Sequence, residues 1–185
     1  MNASAPWDAT TAVSTRPIVA WSGRVWRAHK KVFSGTDAGG SLLYSARYHR
    51  APDVFPNRPT WLALYCGLSY GVCLGEILRH VTPSSLPTLK NQRLSELAVN
   101  LSRVLDCTDL TALGVDEAAL FDDHDYTTGQ DLAAAALARG CEALLIPSAT
   151  RLPDHNLIIF PAHLQPSSSY DIVGIIDPPL YIQRP

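Results

Sequence analysis

The sequence predicts an α+β domain with a compact mixed β-sheet core and few helices. Three observations predict it. Compact apolar runs recur at Trp61-Leu62-Ala63-Leu64-Tyr65, Ala143-Leu144-Leu145-Ile146 and Asn156-Leu157-Ile158-Ile159-Phe160, each of strand length. Only two stretches carry a clear helical pattern. The irregular connections are too long for regular βαβ winding.

The elements follow in chain order. Residues 1–20 show no period and read as a loose arm, with Trp7 and Trp21 as possible anchors. Val25 to His29 reads as a short strand, and Gly35 to Ser41 as a glycine-rich turn. Leu42 to His49 reads as a second strand. Ala51 to Pro59 holds three prolines, which excludes a central strand or a helix interior. Leu68, Val72, Leu74, Ile77 and Leu78 give Leu68–His80 one broad apolar helical face, and Pro83 stops it. Gly71 and Gly75 each weaken this helix by about 1 kcal/mol relative to Ala, so something should pack closely on their edge. Glu76 lies at the boundary of the apolar face.

Leu97, Val99 and Leu101 alternate, which predicts a strand to about Leu105. Asp106 to Asp125 is acidic and irregular, with room for one helical turn. Thr128 to Arg139 is the clearest helix, capped by Thr127 or Thr128 and ended by Gly140. Strands then follow at Ala143–Ile146, Asn156–Phe160 and Asp171–Ile176, and the proline-rich end after Asp177 is peripheral. There is no internal repeat, coiled-coil heptad or low-complexity tract.

Composition narrows the function. Of 185 residues 46% are apolar, and the formal charge is −2, which excludes a disordered chain and lacks the basic footprint of a nucleic-acid binder. No run approaches the ~20 apolar residues of a membrane span, and the first residues have no signal-peptide pattern. The sequence therefore predicts a cytoplasmic protein with no membrane contact. Cys66, Cys73, Cys107 and Cys141 form no C-x-x-C and read as buried, reduced thiols. Phosphate-loop, dinucleotide-fold and nucleophile-elbow motifs are absent. The six histidines have no metal-ligand spacing, so no metal is expected.

What remains is a set of polar residues embedded in apolar segments: Arg27, Arg47, Tyr65, Glu76 and Ser148. Charges near a core boundary need partners. Two readings stand. In one, Arg47 or Arg27 pairs with Glu76 as a structural ion pair in a non-enzymatic binding module. In the other, the two arginines hold an anion and Glu76 contacts a sugar or a developing cation.

These residues lie in stretches that resemble the RES domain, a bacterial toxin family named for its Arg, Glu and Ser. The stretches are Val25-Trp26-Arg27, the Gly35 to Gly40 loop, Ala46-Arg47-Tyr48-His49, Ala63-Leu64-Tyr65, Gly75-Glu76-Ile77-Leu78-Arg79-His80, Leu144 to Ala149 and Asn156 to Phe160. They occur in family order. Many members have Gly-Arg-Trp-Asn where this chain has Ala46-Arg47-Tyr48-His49. The resemblance implies a fold similar to the ADP-ribosyltransferase toxins with NAD in a central cleft. It implies an N-terminal arm at 1–20, an NAD-binding catalytic domain at 21–165, and a C-terminal strand and tail at 166–185 packed on it. It assigns Arg47, Tyr65, Glu76 and Ser148 to catalysis and Arg27, His49 and Asn156 to substrate binding. NAD is substrate, and no other cofactor is implied. The activity implied is cleavage of the nicotinamide–ribose bond by hydrolysis or phosphorolysis, with protein ADP-ribosylation as the alternative. The partner implied is an Xre-type helix-turn-helix antitoxin that blocks the cleft.

Overall fold

The computed structural model describes residues 7–52, 57–82, 84–150 and 152–178. The first six residues of the expected arm, part of the proline-rich 51–59 stretch, the Pro83 helix stop and the tail from 179 lie outside the described residues.

The segment read as a loose arm carries structure. Helix α1, Ala9–Ser14, is capped by Asp8, whose side chain accepts from Thr10 N and Thr11 N. Trp7 Nε1 donates to Leu113 O at 3.0 Å, and Arg139 donates to the carbonyls of Val13 and Arg16. Six residues are too few to show a period, and the anchors lie over a hundred residues away in sequence, so local reading missed the helix.

Strand β1, Ile18–Lys30, is far longer than the Val25–His29 strand expected. It pairs antiparallel with β3, Gln92–Asp106, from Ile18 opposite Leu105 to Lys30 opposite Gln92. The expected strand at Leu42–His49 is absent. A 3-10 turn occupies Gly39–Leu42, and Ala46 and His49 then exchange backbone hydrogen bonds at 3.3 Å. The Gln130 amide donates to the carbonyls of both Ala46 and His49 at 3.1 Å, so a side chain takes the place of a neighbouring strand.

The remaining elements are β2 (Leu64–Gly67), α2 (Tyr70–Arg79), α3 (Leu110–Leu113), α4 (Glu117–Leu120), α5 (Thr127–Ala138), β4 (Ala143–Pro147), β5 (His155–Ile159) and β6 (Ser169–Ile176). The acidic 106–125 stretch thus holds two short helices rather than one turn. Helix α2 is capped by Ser69, which accepts from Val72 N. A Cβ on Gly75 would lie 3.1 Å from Thr150 Cγ2, the close packing expected there, whereas one on Gly71 would meet nothing nearer than 3.9 Å. Neither Thr127 nor Thr128 caps α5; its N-cap is Tyr126, without a side-chain bond, and Asp125 instead accepts from Thr127 N. Gly140 follows α5 with φ 70°.

The fold is α+β, as the sequence predicts. The strand ladder runs β1–β2–β5–β4–β3 and returns to β1, with β6 on the other edge of β3. Among the described strands only β3–β4 is parallel, and the β1–β2 seam is the single pair Trp26–Gly67. The curled sheet makes two cores. Val25, Leu64, Leu97, Leu101, Leu157 and Ile159 pack together in one. Leu144, Ile146, Ile158 and Phe160 pack with Leu113, Leu120 and Leu132 of the helices in the other. Each fully buried Leu or Ile contributes roughly 1.5–3 kcal/mol, so the two cores together fix the strand ends on which the polar residues sit. All four cysteines are free and buried, as expected, and burial pushes the thiols of Cys66, Cys73 and Cys107 up to about 12. Among the described residues, no helix is long and apolar enough to cross a membrane.

Candidate active site

A cleft of about 490 Å³ opens where β1, β2, β5 and α2 meet the 44–49 turn and the loop before α5. Arg27, Arg47, His49, Tyr65, Glu76 and Asn156 all line it. Ser148 stands behind Glu76 and faces a neighbouring groove shared with Arg79 and Leu152. Residues up to 129 positions apart in sequence (156 − 27) therefore meet around one space.

Glu76 projects from α2 with a quarter of its side chain exposed. Its Oε1 accepts from Ser148 Oγ at 2.6 Å and from Asn156 Nδ2 at 2.8 Å. Its Oε2 has only the long 3.4 Å contact with Arg79 Nη1. One oxygen is thus fixed by β4 and β5, and the other has spare lone pairs. Ser148 is buried and spends its proton on Glu76 while accepting from Thr150 N at 3.1 Å. Bonded in this way Ser148 orients the Glu76 carboxylate, and among the described residues no histidine is bonded to its Oγ.

Arg47 does not pair with Glu76. Its Nη2 donates to Asp123 Oδ1 at 2.9 Å and to the carbonyls of Phe121 and Asp122 at 3.2 Å. Asp123 is also gripped by Arg79 Nη2 at 2.9 and 3.0 Å. The structural Arg47–Glu76 pair is therefore corrected: Arg79, one helical turn from Glu76, takes that place, and Asp123 links the two arginines. A Cβ on Gly129 would come within 2.4 Å of Arg47 O, so the first turn of α5 packs directly on the Arg47 backbone. The Arg47 guanidinium carbon also lies 5.9 Å from the Phe121 and Tyr126 ring centroids.

Arg27, on β1, is the least satisfied cation of the cleft. Its Nη2 donates to Asp37 O at 2.6 Å, but its Nε and Nη1 are buried without a partner among the described residues. Burial lowers its pKa from the usual value, with Cys66 and Asp37 opposing the shift. An arginine with two buried, unspent donors is costly unless an anion fills them.

Tyr65 presents its ring to the cleft, but its hydroxyl is occupied: Tyr48 N donates to it at 2.9 Å and His49 Nδ1 lies 2.9 Å away. Burial raises the Tyr65 pKa well above 10, so the phenol stays protonated. His49 Nε2 lies 2.6 Å from Tyr44 O. Both ring nitrogens of His49 are bonded within the protein, although the sequence places His49 among the substrate-binding residues.

Sequence reasoning missed Arg79 and Asp123. The i,i+3 spacing of Glu76 and Arg79 was a usable signal. Asp123 lay in an acidic stretch with nothing to distinguish it from its neighbours. Among the described residues, no group of three His, Cys, Asp or Glu side chains is arranged to hold a metal ion.

Comparison with known proteins adds two findings. The family model described as the RES domain matches residues 24–179. Among solved structures, the chain is similar to one in the crystal structure of the Mycobacterium tuberculosis (M.tuberculosis) MbcT-MbcA toxin-antitoxin complex, with TM-score 0.76 and 18% identity over 91% of each chain. At that identity the likeness is one of fold. No relative was found among the curated proteins.

Proposed function

The chain belongs to the RES domain family, and on that premise we propose that it is an NAD-cleaving enzyme that breaks the nicotinamide–ribose bond. The observation that carries this reading is the Glu76 carboxylate, held by Ser148 and Asn156 in a cleft that also contains the unspent donors of Arg27.

The chemistry needs little covalent help. The nicotinamide nitrogen is cationic while bonded and leaves as a neutral base, taking the bonding electrons. The ribose carbon passes through an oxocarbenium-like state, as in glycoside hydrolysis. Glu76, fixed before the reaction, orients the ribose hydroxyls through its free oxygen and stabilises the positive charge as it develops. Arg27 offers its positive charge to the pyrophosphate, and Arg47 adds a second cation to the same cleft. The Tyr65 ring walls the nicotinamide. Attack by water gives ADP-ribose, nicotinamide and a proton; attack by phosphate gives the phosphorylated ADP-ribose. None of these steps draws on a metal.

The fold likeness to a chain of a toxin–antitoxin complex supports a toxin role. The protein acts on the cytoplasmic NAD pool, and its inhibitor is an Xre-type helix-turn-helix antitoxin that covers the cleft. The test is a product assay on purified protein with NAD, with and without phosphate. Free nicotinamide with ADP-ribose or its phosphorylated form is expected. Label transferred to protein would make it an ADP-ribosyltransferase, and no turnover in either buffer would overturn the reading.

A further inference from the structure

The hydrogen bonds around His49 fix its protonation. A carbonyl oxygen only accepts, so Nε2 carries the proton that reaches Tyr44 O at 2.6 Å. In the neutral ring Nδ1 is then the acceptor, and Tyr65 Oη donates to it across 2.9 Å. Tyr65 Oη meanwhile accepts from Tyr48 N. The result is an unbroken line of donors: Tyr48 N–H to Tyr65, Tyr65 O–H to His49, His49 N–H to Tyr44. A charged ring would turn Nδ1 into a donor and leave the Tyr65 proton without its acceptor. Desolvation also lowers the His49 pKa and favours the neutral ring.

The far end of this line is a segment with little packing of its own. Leu42, Leu43 and Tyr44 are 47%, 62% and 76% exposed, yet Tyr44 lines the cleft. The segment is tethered at one side by Ser41 Oγ, which accepts from Ala63 N, and at the other by Ser45 Oγ, which accepts from Ala51 N. His49 supplies the bond between these two. Apolar side chains left in water contribute nothing to placing a loop, so these three bonds, with the local Leu43 N to Gly40 O turn bond, set where the Tyr44 backbone stands.

We infer that His49 is a positioning residue that ties the Tyr44 segment at the mouth of the cleft to Tyr65 in its wall, and so sets how tightly substrate is held without touching it. This rests on the NAD reading for the identity of the substrate. The ligand that gains is one with a planar aromatic base, for which the exposed Tyr44 ring is a packing surface.

Two variants separate the two bonds. His49→Asn places its amide near the Nδ1 position and can still accept from Tyr65, but falls short of Tyr44 O. His49→Gln reaches the Nε2 position and can still donate to Tyr44 O, but releases Tyr65. His49→Asn is expected to raise KM for NAD about tenfold, the scale of one lost hydrogen bond, with kcat within about twofold. His49→Gln should raise KM less. Amide exchange at residues 42–45 should quicken in His49→Asn and not in His49→Gln. Nitrogen-15 spectra of the wild-type ring should show the neutral, Nε2-protonated form. Failure of wild-type protein to cleave NAD would overturn the proposed function, while the ring spectra and the exchange pattern would still decide this inference. A charged or Nδ1-protonated ring in wild type, or equal kcat losses in both variants with unchanged exchange, would overturn it.

Discussion

Glu142, just before β4, is fully buried, whereas Glu76 on α2 leaves a quarter of its side chain exposed. Both are carboxylates whose short hydrogen bonds come from uncharged donors, Glu76 having in addition the long Arg79 contact. Glu142 accepts from Ser102 N at 2.7 Å and Arg103 N at 2.8 Å through one oxygen, and from Gln165 N through the other. Its donors are backbone amides of β3 and of the loop before β6, joined by the Ser168 hydroxyl, and both oxygens are used. The donors on Glu76 are side chains, Ser148 and Asn156, and they use one oxygen. A carboxylate filled on both sides by main chain ties the strands together. One filled on a single side, with its free oxygen toward a cleft, is placed but unspent. The difference is visible in neither sequence neighbourhood; it lies in which atoms arrive from elsewhere.

The comparison can be broken by experiment. Glu142→Gln puts an amide NH₂ against backbone N–H groups that need an acceptor, so it should lower unfolding free energy by about 3 kcal/mol. Denaturant titration checks this, and NAD turnover per folded molecule should stay at the wild-type level. Glu76→Gln keeps an acceptor for Ser148 and Asn156 but loses the charge. Its kcat should fall at least ~100-fold, while KM and melting temperature change little. If the two substitutions cost similar stability and Glu76→Gln spares kcat, the distinction between the two carboxylates collapses. Arg47→Ala should raise KM for NAD about tenfold, with a smaller effect on kcat. It should also loosen the 121–123 loop, whose carbonyls Arg47 holds.

The smallest effect is one of pH. Burial raises the Glu142 pKa, but its hydrogen bonds outweigh that and hold it below the usual 4.5. The folded pKa is depressed, so the stabilisation is present above about 4.5 and is lost as pH falls through the folded value. The stability gap between wild type and Glu142→Gln should therefore narrow only below about pH 4.5, as acid titrations of both proteins would show.

Much of this was legible in the sequence where side chains report burial. The runs at 143–146 and 156–160 are apolar because the sheet buries them on both faces, and they are strands β4 and β5. The Leu42-Leu43-Tyr44 run looks the same as a string of letters, but no strand edge lies beside it and its side chains stand in water. Local sequence cannot report an absent neighbour. Of the polar residues inside apolar runs, Arg27, Arg47, Tyr65 and Glu76 line the cleft and Ser148 bonds to Glu76 from behind it, while Asn156, which completes that cluster, came from the family resemblance. The Arg79–Asp123 bond spans 44 residues and joins a helix to an irregular acidic loop, so no periodicity foretold it. The family resemblance placed His49 on the substrate; it does line the cleft, but both its ring nitrogens are bonded to Tyr65 and Tyr44, which no local pattern foretold.

The order of the strands also bears on when the molecule becomes complete. Glu76 precedes Ser148 by 72 residues and Asn156 by 80. Its own side of the cleft is made early, yet the two donors that fix its carboxylate come from strands near the C-terminal end. At synthesis rates of about 5–20 residues per second, roughly 4–16 s separate Glu76 from its second donor. The pairing of β1 with β3 likewise requires closing a chain segment from Lys30 to Gln92, a long-range contact that slows folding. A growing chain thus carries the carboxylate for seconds before anything holds it in place, and the assembled cleft belongs to the finished polypeptide.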